Sequence, residues 1–335
     1  VERLRDLDEA ELLARVFPLY AAAVAADESA VPVGPGDDAA VLAAPSGAVV
    51  ATTDGMVRGR DWRDDWSGAH DVGVKVTVQN LADVAAMGAV PTGLLVSLVA
   101  DPGTPVDWVL GLAAGIASVS RESGAPVVGG DLSSGPAGVV TVTLTALGDL
   151  RGRRPVLRSG ARAGDVVAVC GTLGTSGGGL ALYLSGRTTG GGPDAELLRA
   201  AHRAPRPPWE SGPVAADAGA HALVDVSDGL VTDLGRVARA SGVGIDLSGE
   251  VLRARHASGA LERCLGAEEA LRQVLGGGEE HSLAACFPAS VDLAALPGAP
   301  WVAVGQVGEP GPQGPVVTLD GVVPDVRGWD HFAGA

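Results

Sequence analysis

The stretch from Val41 to Gly55 constrains the chain most: an apolar run, a small turn, a second apolar run, then Thr52-Thr53-Asp54-Gly55. The Val content and bounded length of Ala48 to Ala51 predict a short strand that ends in two hydroxyls, a carboxylate and a glycine. Gly36-Asp37-Asp38 lies just upstream. Two unit charges about 4 Å apart repel by about 4 kcal/mol at an effective dielectric near 20, so a fold that gathers these acids needs a cation among them. Hard oxygen ligands suit Mg²⁺, which keeps several waters and binds through one or two carboxylates plus phosphate oxygens. One reading is therefore a metal–phosphate site. The other is that Asp37, Asp38 and Asp54 are turn formers, as Asp beside Gly often is.

Leu4 to Phe17 upstream and Asp71 to Met87 downstream have helical periodicity, the second with Asn80, Asp83 and Met87 on one face and small residues suited to close packing on a sheet. A lone buried charge is costly, so Asp83 is either functional or a structural hydrogen-bonding group. Strands are predicted at Leu94 to Ala100, Pro126 to Val128 (ending in Gly129-Gly130-Asp131), Val139 to Leu147, Val166 to Cys170, His221 to Val226, Leu283 to Phe287, Val302 to Val307 and Val316 to Leu319. Helices follow at Val106 to Glu122 and Leu230 to Ala240, with Ser227 or Asp228 placed to cap the latter. Gly171 to Gly179 lacks the phosphate-loop pattern and reads as a strand-to-helix turn. Thr188 to Pro193 and Ala204 to Pro208 read as loops. Alternating and continuous strands mixed with helices indicate an α+β chain rather than a doubly wound parallel sheet. At 335 residues two domains are expected, 1–150 and 151–335, with the Pro- and Gly-bearing Arg151 to Gly164 as the link.

A net charge of −16 argues against nucleic acid and anionic membranes as partners. The three scattered cysteines show no zinc or disulfide spacing, and no apolar run reaches membrane-spanning length, so a cytoplasmic protein is expected. Among 24 basic residues Lys75 is the single lysine. It is either a compact cation serving phosphate or the acidic cluster, or a lysine snorkelling at a helix edge.

Six motifs stand in order: Gly36-Asp37-Asp38, Thr52-Thr53-Asp54-Gly55, Asn80 to Gly88, Gly129-Gly130-Asp131, Asp225-Val226-Ser227-Asp228-Gly229 and Gly277-Gly278-Glu279. On these the sequence resembles the thiamine-monophosphate kinase family, within the aminoimidazole-ribonucleotide synthetase superfamily, from about Leu7 to Phe332. The resemblance implies two α/β domains, the N-terminal ones pairing through their sheets in a homodimer, with residues 1–150 binding metal and ATP. It implies ATP-dependent phosphorylation of thiamine monophosphate to thiamine diphosphate with several Mg²⁺ ions. By position, Asp38, Thr52, Thr53, Asp54, Asp83, Asp131, Asp225 and Asp228 would serve the metals, with Asp54, Asp131 and Asp225 catalytic. Gly130, Asp131, Arg158 and Ser227 would touch ATP; Asp61, Glu279 and Trp329 would touch thiamine monophosphate. Two positions depart from the family: a His is common where Asp61 stands, and Asp-Tyr commonly follows the glutamate where this chain has Glu280-His281. Ring closure in purine synthesis and selenophosphate synthesis are the superfamily's other chemistries; the second is disfavoured by the lack of an N-terminal Cys. A nucleotide-binding protein without turnover would not need so many acids.

Overall fold

A computed structural model describes residues 1–24, 27, 29–35, 39–326 and 328. Gly36-Asp37-Asp38 and Trp329 lie outside the described residues, so the expectations for Asp38 and Trp329 rest on sequence alone. The described residues divide into two compact units, Val1–Val84 with Val90–Gly152, and Ala85–Ala89 with Arg153–Ala335.

The first unit is built from α1 (Glu9–Ala21), β1 (Val50–Val57), α2 (Ala69–Ala86), β2 (Val90–Ala100), α3 (Val106–Ser123), β3 (Val127–Ser134) and β4 (Val140–Asp149). Its sheet runs β1-β4-β2-β3, with β2 and β3 parallel and the other neighbours antiparallel. β4 alternates as its sequence predicts: Val142, Leu144 and Ala146 are buried, and Thr141, Thr143 and Thr145 are half-exposed. α2 is buried nearly all round, its polar Lys75, Thr77 and Asn80 included. Its close neighbour is α3: a Cβ at Gly73 would lie 2.2 Å from the Leu112 carbonyl oxygen, and one at Gly115 2.2 Å from that of His70.

The second unit follows with β5 (Val166–Cys170), α4 (Thr175–Leu184), α5 (Gly192–Arg203), α6 (Ser211–Asp217), β6 (Ala222–Val226), α7 (Leu230–Ser241) and β7 (Gly244–Leu247). Then come α8 (Gly249–Leu252), a π-helical turn at Arg253–Ala257, α9 (Ala260–Leu265), α10 (Ala267–Gly276), β8 (Ser282–Phe287), β9 (Trp301–Gly308) and β10 (Val317–Leu319). The six-stranded sheet runs β10-β7-β9-β5-β8-β6, with only β10 and β7 parallel. β6 and β8 are buried throughout, and Ala222, Val224, Val226, Ala284 and Cys286 join apolar residues of α4, α5, α7 and α10 in one core. Both sheets are thus mainly antiparallel with helices interspersed, the α+β arrangement expected.

Several local expectations are corrected. β1 does not stop at Ala51 but runs through Thr52-Thr53-Asp54-Gly55, because all eight of its residues pair with β4. β3 likewise runs through Gly129-Gly130-Asp131, held by its ladder with β2. A Cβ at Gly130 would lie 1.9 Å from the Val96 carbonyl oxygen, so that position needs glycine. Leu4 to Phe17 is two elements: a 3₁₀ turn at Leu4–Asp6, then α1, which Asp8 starts through a reciprocal capping box with Glu11. The loop expected through Pro193 gives way at Gly192, because proline suits the first turn of a helix. Neither Ser227 nor Asp228 caps α7; Asp233, inside that helix, accepts hydrogen bonds from the backbone N–H groups of Ser227, Asp228 and Gly229 at 2.9–3.1 Å.

Candidate active site

Alternation along β1 sends Thr52, Asp54 and Met56 to one face and Thr53, Gly55 and Val57 to the other. On the first face α2 supplies Asn80 and Asp83, one helical turn apart. The Thr52 hydroxyl donates to Asp83 Oδ2 at 2.7 Å, and the Asp54 N–H donates to Asn80 Oδ1 at 3.0 Å. Asn80 is fully buried and donates through Nδ2 to the Val76 carbonyl oxygen at 2.8 Å. Its amide is fixed at both ends, and it fixes the backbone of Asp54. Asn80 was legible only as sharing a helix face with Asp83; nothing in the sequence tied it to Asp54.

Thr53 lies on the opposite face, where its hydroxyl donates to the Leu144 carbonyl oxygen at 3.1 Å and accepts from Thr145 at 3.0 Å. Gly55, Thr143, Ser97 and Asp131 stand in one row across the sheet. Asp131 is exposed and accepts from the Ser133 hydroxyl at 3.0 Å. Because β1 and β3 are opposite edges of a four-stranded sheet, about 14 Å separates their backbones. The first unit therefore groups Thr52, Asp54 and Asp83, and keeps Asp131 apart from them. Lys75 is only 3% exposed, which rules out the snorkelling reading for this residue.

In the second unit Asp225 closes β6, buried, with His281 Nδ1 3.2 Å from its Oδ2. Asp228, in the loop that follows, pairs with Arg236, which also pairs with Asp233. Burial, with the Asp225 charge second, pushes the Asp233 carboxyl up to about 7, against the pull of the Asp228 N–H and Arg236. Asp233 and Arg236 were missed in the sequence because their partners are set by the fold of the loop. Glu279 and His281 both have φ near +60°, at 60° and 55°. Their N–H groups are tied to the carbonyl oxygens of Ser227 (2.7 Å) and Val226 (2.8 Å), so this acidic segment is strapped to the β6–α7 loop. Glu280 is buried and accepts from the Thr172 hydroxyl at 2.6 Å, from the Thr175 hydroxyl, and from the Ser176 N–H at 2.9 Å. A carboxylate at the N-terminus of α4 is favourably placed. Arg158 is exposed in a 3₁₀ turn whose backbone accepts from Ser241 Oγ at 2.9 Å.

The AIR synthase related protein N-terminal domain matches residues 36–150, and the corresponding C-terminal domain matches residues 162–311. The thiamine-monophosphate kinase of Mycobacterium tuberculosis is 44% identical over 305 residues, covering 90% of this chain and 84% of that protein. This chain belongs to the thiamine-monophosphate kinase family. It is, accordingly, a phosphotransferase. The crystal structure of the family member from Stenotrophomonas maltophilia K279a superposes with a TM-score of 0.82 at 31% identity, over 95% of this chain and 98% of that one. A structure described as AaThiL complexed with AMPPCP and TMP gives 0.76 at 28% identity, over 99% of both chains.

Within this family frame, the two departures have local explanations. Glu280 is taken up by the start of α4 and His281 by Asp225, so neither is a spare surface group. Asp61 accepts from the Val57 N–H at 2.7 Å and so shapes the turn that ends β1. The donor chemistry fits Mg²⁺: the grouped side chains offer only carboxylate, hydroxyl and amide oxygens. Among the described residues no group of three or more His, Cys, Asp or Glu side chains is placed to hold a metal ion by itself.

Proposed function

We propose that this protein transfers the γ-phosphoryl group of ATP in line to the phosphate of thiamine monophosphate, forming thiamine diphosphate. The observation that carries the proposal is the locked pairing of Thr52 with Asp83 and of Asp54 with Asn80, which holds oxygen ligands on a rigid strand and a buried helix. The acceptor is a phosphate monoester, with a second pKa of about 6, and is already nucleophilic at pH 7. No general base is required of the chain. What opposes reaction is the approach of two anions, so the residues must position and the site must neutralise. Asp54 and Asp83 on one face of the first unit, Thr53 and Asp131 on the other, and Asp225 and Asp228 in the second unit are the proposed metal holders; Asp38 and Thr52 complete the set. Bound Mg²⁺ would screen the phosphate oxygens. Gly130, Arg158 and Ser227 are proposed to touch ATP, and Asp61, Glu279 and Trp329 the thiamine half, where carboxylates and an indole suit a cationic ring.

A homodimer belongs to the same proposal. The open face of the first sheet carries Thr141, Thr143, Thr145, Leu95, Ser97 and Val99, all half-exposed, beside the exposed Val57, which suits a second sheet. A cytoplasmic location belongs to the same proposal; among the described residues no helix is long and apolar enough to cross a membrane. The test is to incubate the purified protein with Mg²⁺ and ATP, with and without thiamine monophosphate. One thiamine diphosphate per ADP, and ADP only when the acceptor is present, is expected; ADP without acceptor refutes the proposal.

A further inference from the structure

His202 lies in the last turn of α5, with its side chain 7% exposed, while the Glu279 side chain beside it is 36% exposed. Its Nδ1 stands 3.4 Å from Glu279 Oε2 and 3.4 Å from Ser176 Oγ at the start of α4. The placement is built in by packing. A Cβ at Gly179 would lie 2.1 Å from the Leu198 carbonyl oxygen and 2.8 Å from His202 Cβ, so glycine there lets α5 come close enough to α4 to tuck the imidazole beneath the turn. The Tyr183 ring, 5.9 Å away centroid to centroid, packs obliquely on the imidazole. The Glu279 backbone, at φ 60°, is tied by its hydrogen bond to the Ser227 carbonyl oxygen, and its carboxylate lies at the imidazole edge.

We propose that His202 is a positioning residue that selects the rotamer of Glu279 presented to the cationic half of the substrate, and so tunes recognition of thiamine monophosphate without serving ATP. The inference rests on the reading that Glu279 touches thiamine monophosphate. A half-exposed glutamate on a turn has several staggered rotamers open to it. A buried imidazole at one carboxylate oxygen favours a single one. Ser176 is buried, with its Oγ 3.4 Å from the same nitrogen.

The contact runs through Nδ1, and this gives a sharp test. In His202→Asn the side-chain amide N–H falls near the Nδ1 position; in His202→Gln it falls near Nε2; in His202→Leu there is no donor. The full chain is assayed for kcat, KM for thiamine monophosphate, KM for ATP and thermal midpoint, alongside Glu279→Gln and the double variant His202→Gln/Glu279→Gln. His202→Gln and His202→Leu are expected to raise the KM for thiamine monophosphate by about threefold to tenfold, the size of one weak charge-assisted contact. KM for ATP should stay unchanged, His202→Asn should stay within about twofold of the parent, and His202→Gln should add nothing in the Glu279→Gln background. If Glu279→Gln raises that KM but His202→Gln does not, or if His202→Gln acts equally in both backgrounds, His202 only packs and the inference falls. If Glu279→Gln leaves KM for thiamine monophosphate unchanged, the substrate reading of Glu279 fails, and this inference with it.

Discussion

Asn80 shows how much one neutral side chain can organise. It accepts from the Asp54 N–H and donates to the Val76 carbonyl oxygen, with no exposure to water. Asn80→Leu leaves the Asp54 N–H without that partner, and an unsatisfied buried group costs about 1–3 kcal/mol. We expect a lower thermal midpoint and a fall in kcat larger than any change in KM, because the carboxylate of Asp54 is displaced rather than removed. Kinetics with calorimetry on the same preparation would check this; a folded variant with unchanged kcat would show that Asn80 does not set the position of Asp54. Gly130 makes a steric case. Gly130→Ala would set a methyl group 1.9 Å from the Val96 carbonyl oxygen, and a backbone atom cannot yield as a flexible side chain can. Overpacking of this kind costs about 1–3 kcal/mol, so a drop in denaturant midpoint is expected.

At the scale of elements, the π-helical turn Arg253–Ala257 gives the clearest pH signature. His256 sits in it with a buried Nε2 that has no hydrogen-bond partner among the described residues, and burial, with Arg255 second, lowers its pKa from 6.5 to about 4. The unfolded chain takes up this proton below 6.5 while the folded chain resists until about 4, so the stability contribution is whole above 6.5 and is lost as pH falls through that window. The loss reaches about 3 kcal/mol. Denaturant titrations of wild type and His256→Leu at pH 7 and pH 4.5 should show a smaller acid loss in the variant; equal losses would contradict the shift. Asp233, raised to about 7, runs the other way and is common to both proteins. These elements also show what can be read from sequence. The Thr–Val alternation of β4 and the acid-bearing end of β6 were legible because a strand's pattern is local. The ends of β1 and β3 were not: Asp-Gly and Gly-Gly-Asp look like turns, and only pairing with β4 and β2, distant in sequence, keeps them extended. The hold of Asp233 on the loop before α7 was hidden for the same reason, since Ser227 and Asp228 stand at the usual capping positions but donate their N–H groups to the acid inside the helix.

For the whole molecule, the proposed dimer turns the open face of the first sheet into buried surface. Thr143→Arg would set a long cation among Ser97, Thr141 and Thr145, and we expect sedimentation to show a monomer where the parent is a dimer. A variant that stays dimeric would place the interface elsewhere. In the proposed reaction the oxygen ligands held between β1 and α2 serve metal-assisted phosphoryl transfer. Asp54→Asn keeps the shape of the side chain and leaves the hydrogen bond from its backbone to Asn80 in place. It removes only the charge. The decisive measurement is kcat for thiamine diphosphate formation by this variant across a Mg²⁺ series, with the thermal midpoint as the folding control. A loss of at least about a hundredfold that added Mg²⁺ does not restore is expected, the scale of one lost electrostatic group in a preorganised site, in a protein at least as stable as wild type. A folded Asp54→Asn variant with near-normal kcat at ordinary Mg²⁺ would contradict it.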